Sequence, residues 1–393
     1  MPVKKSFEFD VVVMGAGPAG SSAALSARKL GLSVAIVDKA VFPRDKLCGG
    51  LVSGRSRTAL CNIFGYETTG PDFLVSRAVS FNWKGEVLAG FEAPHDLCFT
   101  MRYDFDAELL KRAAAAGCEV FAGERSSELL TDENTVVLGE KRLNYRALIG
   151  ADGVNSAVAR HVFGQAFTHD KIGFALECEV PLDALPDGTP TQIDFRAVNW
   201  GYGWVFPKSG SWTIGVGGMN NRNPRMKDHM IRFLALNGVE PGGVRIKGHF
   251  IPGGDYRRVP GRGNILLAGD AAGLVDSLTG EGIAYALESG QLAADAIAAA
   301  LAAGRPQTAV RVYSKMLKPI HAELNKVNRL RKYVFSSDSA DRFQERLRTS
   351  ENLRMAFFEL LEGRLSYGDL EKQYAKRAFK NVARNLVAAV KGH

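Results

Sequence analysis

The chain has 393 residues, 42 of them glycine, and a net charge of +8 from 50 Lys and Arg against 42 Asp and Glu. That length can bury at least one large core and suggests two domains or one elaborated domain. The basic residues are scattered and no nucleic-acid motif accompanies them, which sets nucleic acid aside as a partner, and the longest apolar stretch, the Ala-rich run around 296–303, is far too short to span a bilayer.

Five cysteines (Cys48, Cys61, Cys98, Cys118, Cys178) show no C-x-x-C and no zinc or iron–sulfur spacing, so they read as free thiols, and no metal site is expected. Met1 to Glu8 lack an apolar leader core, which with the free thiols points to the cytoplasm.

In chain order, Asp10–Met14 reads as a buried strand, Gly15-Ala16-Gly17-Pro18-Ala19-Gly20 as a G-x-G-x-x-G turn, Ser21–Leu30 as a helix and Val34–Val37 as the next parallel strand, ending at Asp38 with Lys39 beside it. Glycines at such a turn let backbone N–H groups approach a pyrophosphate, which the positive helix N-terminus stabilises. Asp38, eighteen residues past Gly20, is placed to accept hydrogen bonds from an adenosine ribose. A turn that only packs a helix on a sheet would leave this ordered set of strand, turn, helix, strand and acid unexplained.

A turn-rich loop follows, Phe42 to Gly50, then strand-like stretches at Ala78–Trp83 and Val87–Phe91 and a helix over Asp104–Ala116, with Arg102 just before it. Glu119–Phe121, Thr135–Leu138 and Ala147–Ile149 read as strands, the last running into Gly150-Ala151-Asp152-Gly153. Residues 172–218 are strand-rich, with hairpin turns expected at Pro186-Asp187-Gly188 and Lys208-Ser209-Gly210. Ile265–Ala268 is a further buried strand ending in Gly269-Asp270, and a long Ala-rich helix covers roughly Gly282–Ala303. Beyond about 308 the pattern is helical and without catalytic signature. The last twenty residues, Tyr374–His393, form a basic amphipathic stretch that either packs on the body or lies on the inner face of an anionic membrane.

The expected fold class is α/β: a Rossmann-like nucleotide-binding domain with an inserted β-rich substrate domain and a helical C-terminal region. The boundaries are 1–75, 100–165 and 251–310 for the nucleotide domain, 76–99 and 166–250 for the substrate domain, and 311–393 for the helical region.

Four motifs together resemble the FAD-dependent geranylgeranyl reductase family, within the broader p-hydroxybenzoate hydroxylase fold. They are the Gly15–Gly20 fingerprint with Asp38; the loop Arg44-x-Lys46-x-Cys48-Gly49-Gly50; Gly269-Asp270 followed by Gly280-Glu281-Gly282-Ile283; and Tyr202-x-Trp204-x-Phe206-Pro207 followed by Gly215-x-Gly217. The second and fourth are the selective ones. The pair Asp152-Gly153 followed by Arg160 also resembles an element of flavin hydroxylases.

The resemblance implies FAD as cofactor, held by Gly15, Gly17, Pro18, Ala19, Gly20, Asp38, Lys39, Arg44, Lys46, Cys48, Gly49, Arg102, Ala151, Asp152, Gly269, Asp270, Gly280, Gly282 and Ile283. Cys48 is either a pocket residue that tunes the flavin or passes a proton, or a small residue filling a tight loop. Tyr202, Trp204 and Phe206 alternate, so on a strand they share one face, and with Pro207 they are assigned to the wall of an apolar substrate site.

The function so implied is reduction of carbon–carbon double bonds in a prenyl or other long apolar substrate, by hydride transfer from reduced flavin. Two other readings stand beside it: an oxygen-using monooxygenase or halogenase of the same fold, and a non-catalytic flavin-binding redox sensor. Tyr202 and Phe206 depart from the halogenase pattern W-x-W-x-I-P. With a single complete dinucleotide fingerprint taken by FAD, the electron donor is either NAD(P)H bound without its own Rossmann motif or a ferredoxin-like protein. The sequence sets neither the oligomeric state nor the proton donor.

Overall fold

The computed structural model describes residues 5–373. The basic stretch Tyr374–His393 lies outside the described residues.

Two eight-stranded sheets organise the described residues. In the first, five parallel strands run in the spatial order Ile265–Leu267, Lys141–Gly150, Lys5–Met14, Val34–Asp38, Glu119–Ala122. Val11, Val12 and Val13 in its centre are wholly inaccessible to solvent. A run apolar on both faces is what a parallel sheet covered on both sides requires. The helices Pro18–Lys29 and Ile283–Ala302 pack against each other beside it. They meet closely because Gly290 has no side chain: a Cβ there would collide with the Ala19 carbonyl.

The second sheet takes its strands from two parts of the chain. Leu51–Val52, Phe73–Trp83 and Glu86–Thr100 form one edge, and Gly173–Pro181, Thr191–Phe195, Gly201–Pro207, Ser211–Met219 and Lys247–Ile251 form the rest. Thr191–Phe195 lies parallel to Phe73–Trp83 and joins the two parts, whereas the other pairs are antiparallel. Gly203 and Val205 face the helix Met226–Leu236 and its core, leaving Tyr202, Trp204 and Phe206 on the opposite face.

The Lys208–Gly210 turn joins two paired strands, as expected. The turn at Pro186 to Gly188 forms, closed by the Thr189 N–H on the Pro186 carbonyl, but it does not make a hairpin. The strands on either side are separated in the sheet by Gly201–Pro207 and Ser211–Met219. A turn signal is local, and strand partners are chosen by the packing of both faces. Two helices begin earlier than read from sequence, at Pro18 and at Arg102. Pro18 is pre-set for a first helical turn, where its missing N–H costs nothing.

The helices Lys318–Phe335, Ser337–Thr349 and Glu351–Leu361 cover the second sheet through an aromatic cluster. Phe358 stacks on Phe81 at 5.8 Å, and Phe195 meets Phe81 edge-on at 5.4 Å. Such pairs contribute about 0.5–1.5 kcal/mol each beyond area burial.

Candidate active site

A cavity of about 660 Å³ runs between the two sheets, within the range of about 300–1,000 Å³ usual for ligand clefts. At one end lie Asp38, Lys39, Glu124, Arg125 and Ser126. The fingerprint loop, Arg44, Arg102, Arg160 and Asp270 line its middle. Beyond the Cys48–Gly50 loop it opens onto Tyr202, Trp204 and Phe206, and its far wall carries Arg331, Phe335, Phe357 and Leu361.

The glycines of the fingerprint differ in what they serve. Gly15 has φ +101° and its missing side chain makes room for Ala151, while a Cβ on Gly20 would collide with the Gly15 carbonyl. Both are required by the protein's own packing. Gly17 is different: a Cβ there meets only the Arg44 guanidinium, at 3.6 Å. The space in front of Gly17 belongs to the cavity, and beside it the Arg44 Nη1 is buried without a partner among the described residues. Gly17 also precedes the helix Pro18–Lys29, whose N-terminus favours an anion. An open cradle, a helix dipole and an orphaned guanidinium donor fit the diphosphate of FAD.

Arg102 forks onto Asp106, Nε to Oδ1 at 2.6 Å and Nη2 to Oδ2 at 2.8 Å, and Arg44 reaches the same carboxylate at 3.0 Å. Burial works against the charge on Arg102, but Asp106 outweighs it and holds the guanidinium above its ordinary value. Two guanidiniums share one buried carboxylate, so the cluster keeps a positive surplus for an anionic ligand. Sequence reading included Arg102 among the residues that hold FAD but had no sign of Asp106, whose i,i+4 pairing with Arg102 shows only once the helix is known to start at Arg102.

Asp38 accepts the Ala16 N–H at 2.8 Å and the Ala40 N–H at 2.9 Å, so its carboxylate also fixes the fingerprint loop. Asp38→Ala should weaken FAD by about 1.5–3 kcal/mol for each charge-assisted bond lost, read by fluorescence titration of the apoprotein. Unchanged affinity would place the adenosine elsewhere.

Asp152 lines the cavity, but its carboxylate is turned onto the helix Ala157–Phe163, accepting from the Ala157 N–H at 2.6 Å and from the Ser156 hydroxyl. Gly20, Gly269 and Pro207 do not line the cavity; Gly269 packs on Ala19 and Ala286. Glu281 accepts the Ala284 N–H at 2.9 Å and the Ser56 hydroxyl at 3.2 Å, thereby capping the helix Ile283–Ala302. Gly280, Gly282 and Ile283 remain at the cavity edge. The Tyr202 hydroxyl donates to the Thr279 carbonyl and ties the aromatic strand to this glycine loop.

The loop between the two halves carries further ionisable groups. Lys46 donates to His249 Nε2 at 3.2 Å, and His249 Nδ1 donates to the Phe250 carbonyl at 2.6 Å. Burial lowers the pKa of Lys46, with Arg102 adding to the effect; burial and then Lys46 lower that of His249. The Cys48 N–H donates to Glu177 Oε1 at 2.6 Å, and the Cys48 sulfur accepts the Gly50 N–H at 3.4 Å.

Sequence reading missed Glu177, His249, Arg331, Phe335, Phe357 and Leu361. No local motif marks them; each reaches the cavity through sheet register or through helices that return from the end of the chain.

Among the described residues no cluster of His, Cys, Asp and Glu could hold a metal ion, and no helix is long and apolar enough to cross a membrane.

Residues 10–166 match the FAD dependent oxidoreductase family. The chain is 30% identical to the geranylgeranyl diphosphate reductase of Rhodobacter capsulatus over 394 aligned residues, covering 96% of this chain and 97% of that one. It is 32% identical to digeranylgeranylglycerophospholipid reductase 2 of Methanopyrus kandleri, over 75% and 78% of the two chains. A geranylgeranyl bacteriochlorophyll reductase-like protein of Thermoplasma acidophilum shares the fold, with a TM-score of 0.74 and 22% identity over 90% of this chain and 96% of that one. A dinucleotide cradle opening onto an aromatic wall and near-full-length similarity to a named reductase agree: the chain belongs to the geranylgeranyl reductase family of FAD-dependent oxidoreductases.

Proposed function

We propose that the protein saturates carbon–carbon double bonds of a prenyl chain or another long apolar substrate. The observation that carries this reading is the continuity of one cavity from the Gly17 cradle, past the Cys48 loop, to the aromatic face of Tyr202, Trp204 and Phe206. Bound and reduced, FAD supplies a hydride.

The protein's own residues do the rest. Gly17, Arg44 and Arg102 hold the diphosphate, and Asp38 with Lys39 takes the adenosine end. Trp204, Phe206, Phe335, Phe357 and Leu361 exclude water and bury the chain, at roughly 25 cal/mol per Å² of apolar surface. An isolated alkene is unpolarised, so fixing it at close range in one orientation is the main lever on its reactivity.

Arg331 fits a substrate with an anionic head group. It lines the cavity with its Nε buried and without a hydrogen-bond partner among the described residues; Asp276 attracts its charge through space without forming an ion pair, and burial, the larger effect, lowers its pKa.

The test is anaerobic mixing of dithionite-reduced holoenzyme with geranylgeranyl diphosphate, followed by flavin absorbance and mass spectrometry. Reoxidation without oxygen, with product gains of two hydrogens per bond, is expected. Reoxidation that strictly requires oxygen would favour the hydroxylase reading, and flavin that stays reduced with every lipid would favour the redox sensor. Parallel reduction of the oxidised enzyme by NADPH, NADH and a reduced ferredoxin assigns the donor.

A further inference from the structure

One row of the second sheet runs beneath the Cys48–Gly50 loop. Glu177 pairs across to Gly215, and Gly215 pairs across to Trp204. A Cβ on Gly215 would collide with the indole, so its absence lets Trp204 lie over the row next to Glu177. Glu177 Oε1 is taken by the Cys48 N–H. Among the described residues its Oε2 is buried with no partner, and the Trp204 indole nitrogen is in the same state. A buried polar atom left without a partner is costly, and both belong to residues of the cavity wall.

The charged groups around Glu177 come from four elements. Lys208, only 1% exposed, follows the aromatic strand, and Glu179 lies two residues along on the same strand as Glu177. Lys46 is on the loop, with His249 of the strand Lys247–Ile251 bonded to it. Burial pushes the Glu177 carboxyl up to about 7, against the opposing pull of Lys208 and of the Cys48 N–H. At neutral pH this carboxyl therefore keeps a substantial share of its proton.

We propose that Glu177 is the proton donor to the substrate, with the Trp204 ring, seated over Gly215 beside it, holding the reacting double bond against Oε2. This rests on the reductive reading above. In the step, the alkene π bond breaks, one carbon gains the hydride drawn from the reduced cofactor, and its neighbour gains the proton as the Glu177 O–H bond breaks. Two electrons leave the cofactor and the alkene becomes a CH–CH unit. The carboxylate left behind is stabilised by the Cys48 N–H and Lys208, and takes its next proton from water.

Glu177→Gln keeps an oxygen for the Cys48 N–H but has no proton to give. In anaerobic single turnover with geranylgeranyl diphosphate, wild-type reoxidation should slow as pH rises through about 7. The Gln variant should be about 10²-fold slower or worse, without that pH limb, with FAD affinity and dithionite reduction unchanged within about twofold. Glu177→Asp should restore part of the rate.

A second readout needs no cofactor. A carboxyl raised in the folded state binds more protons there than in the unfolded chain, so it costs stability as pH rises from about 4.5 through about 7. Denaturant unfolding of the apoprotein should therefore show Glu177→Gln gaining on wild type across that window. A Gln variant that turns over at the wild-type rate with the same pH limb would overturn the proposal, as would a stability difference that does not change with pH. A wild-type enzyme that binds FAD yet never passes electrons to a prenyl substrate would bring down the reductive reading, and this assignment with it.

Discussion

Replacing Asp106 by asparagine is expected to destabilise the apoprotein by about 3–5 kcal/mol, the usual penalty for removing one partner of a buried ion pair. Asp106 is fully buried, with Arg102 forked onto it and Arg44 at 3.0 Å, so its loss strands two guanidiniums inside the protein. Denaturant unfolding measures this directly. The informative comparison is with FAD present. A diphosphate held by the same guanidiniums returns negative charge to them, so the gap between variant and wild type should narrow as FAD approaches saturation. A gap that is equal with and without FAD would mean that these arginines do not face the diphosphate.

The second large effect is expected from a single methyl group. Gly215→Ala places a Cβ inside the Trp204 indole and against the Glu177 Cβ, and the indole, the nearer of the two, must shift. Displacement of a positioning group by about 1 Å can cost on the order of 10²-fold in rate, so turnover on a long prenyl substrate should fall by about that factor. FAD content should hold, since the diphosphate and adenosine contacts assigned to Gly17, Arg44, Arg102 and Asp38 do not involve this row. Trp204→Ala should also impair turnover, but it removes a side chain only 6% exposed and carries a packing cost of about 3–5 kcal/mol. Full activity in Gly215→Ala would remove Trp204 from the substrate wall.

The nucleotide half of the fold is legible in the chain because its signals are local. Strand, glycine turn, helix and acid follow one another within thirty residues, and Gly17, Asp38 and Cys48 all line the cavity. The alternation of Tyr202, Trp204 and Phe206 also puts the three on one face of their strand, opposite Gly203 and Val205. Other features depend on long-range pairing. Glu177 acquires meaning only when Gly215 places it beside Trp204, and Asp106 only when the helix is known to begin at Arg102. The Pro186 turn shows the same limit, since nothing within four residues says which strands become neighbours. The helical end of the chain, empty of motifs, supplies the far wall through Arg331, Phe335, Phe357 and Leu361.

That far wall comes from a different stretch of the chain than the residues assigned to FAD. The residues assigned to FAD come from segments before residue 284, whereas Phe357 and Leu361 belong to the helix Glu351–Leu361, which touches the rest mainly through aromatic packing on the second sheet. Volume changes at these two positions alter the depth of the cavity and leave the cradle around Gly17 and Arg102 untouched. On the function proposed above, exchange of a few bulky side chains in this helix would reset the length of substrate accepted and leave the cofactor cradle as it is.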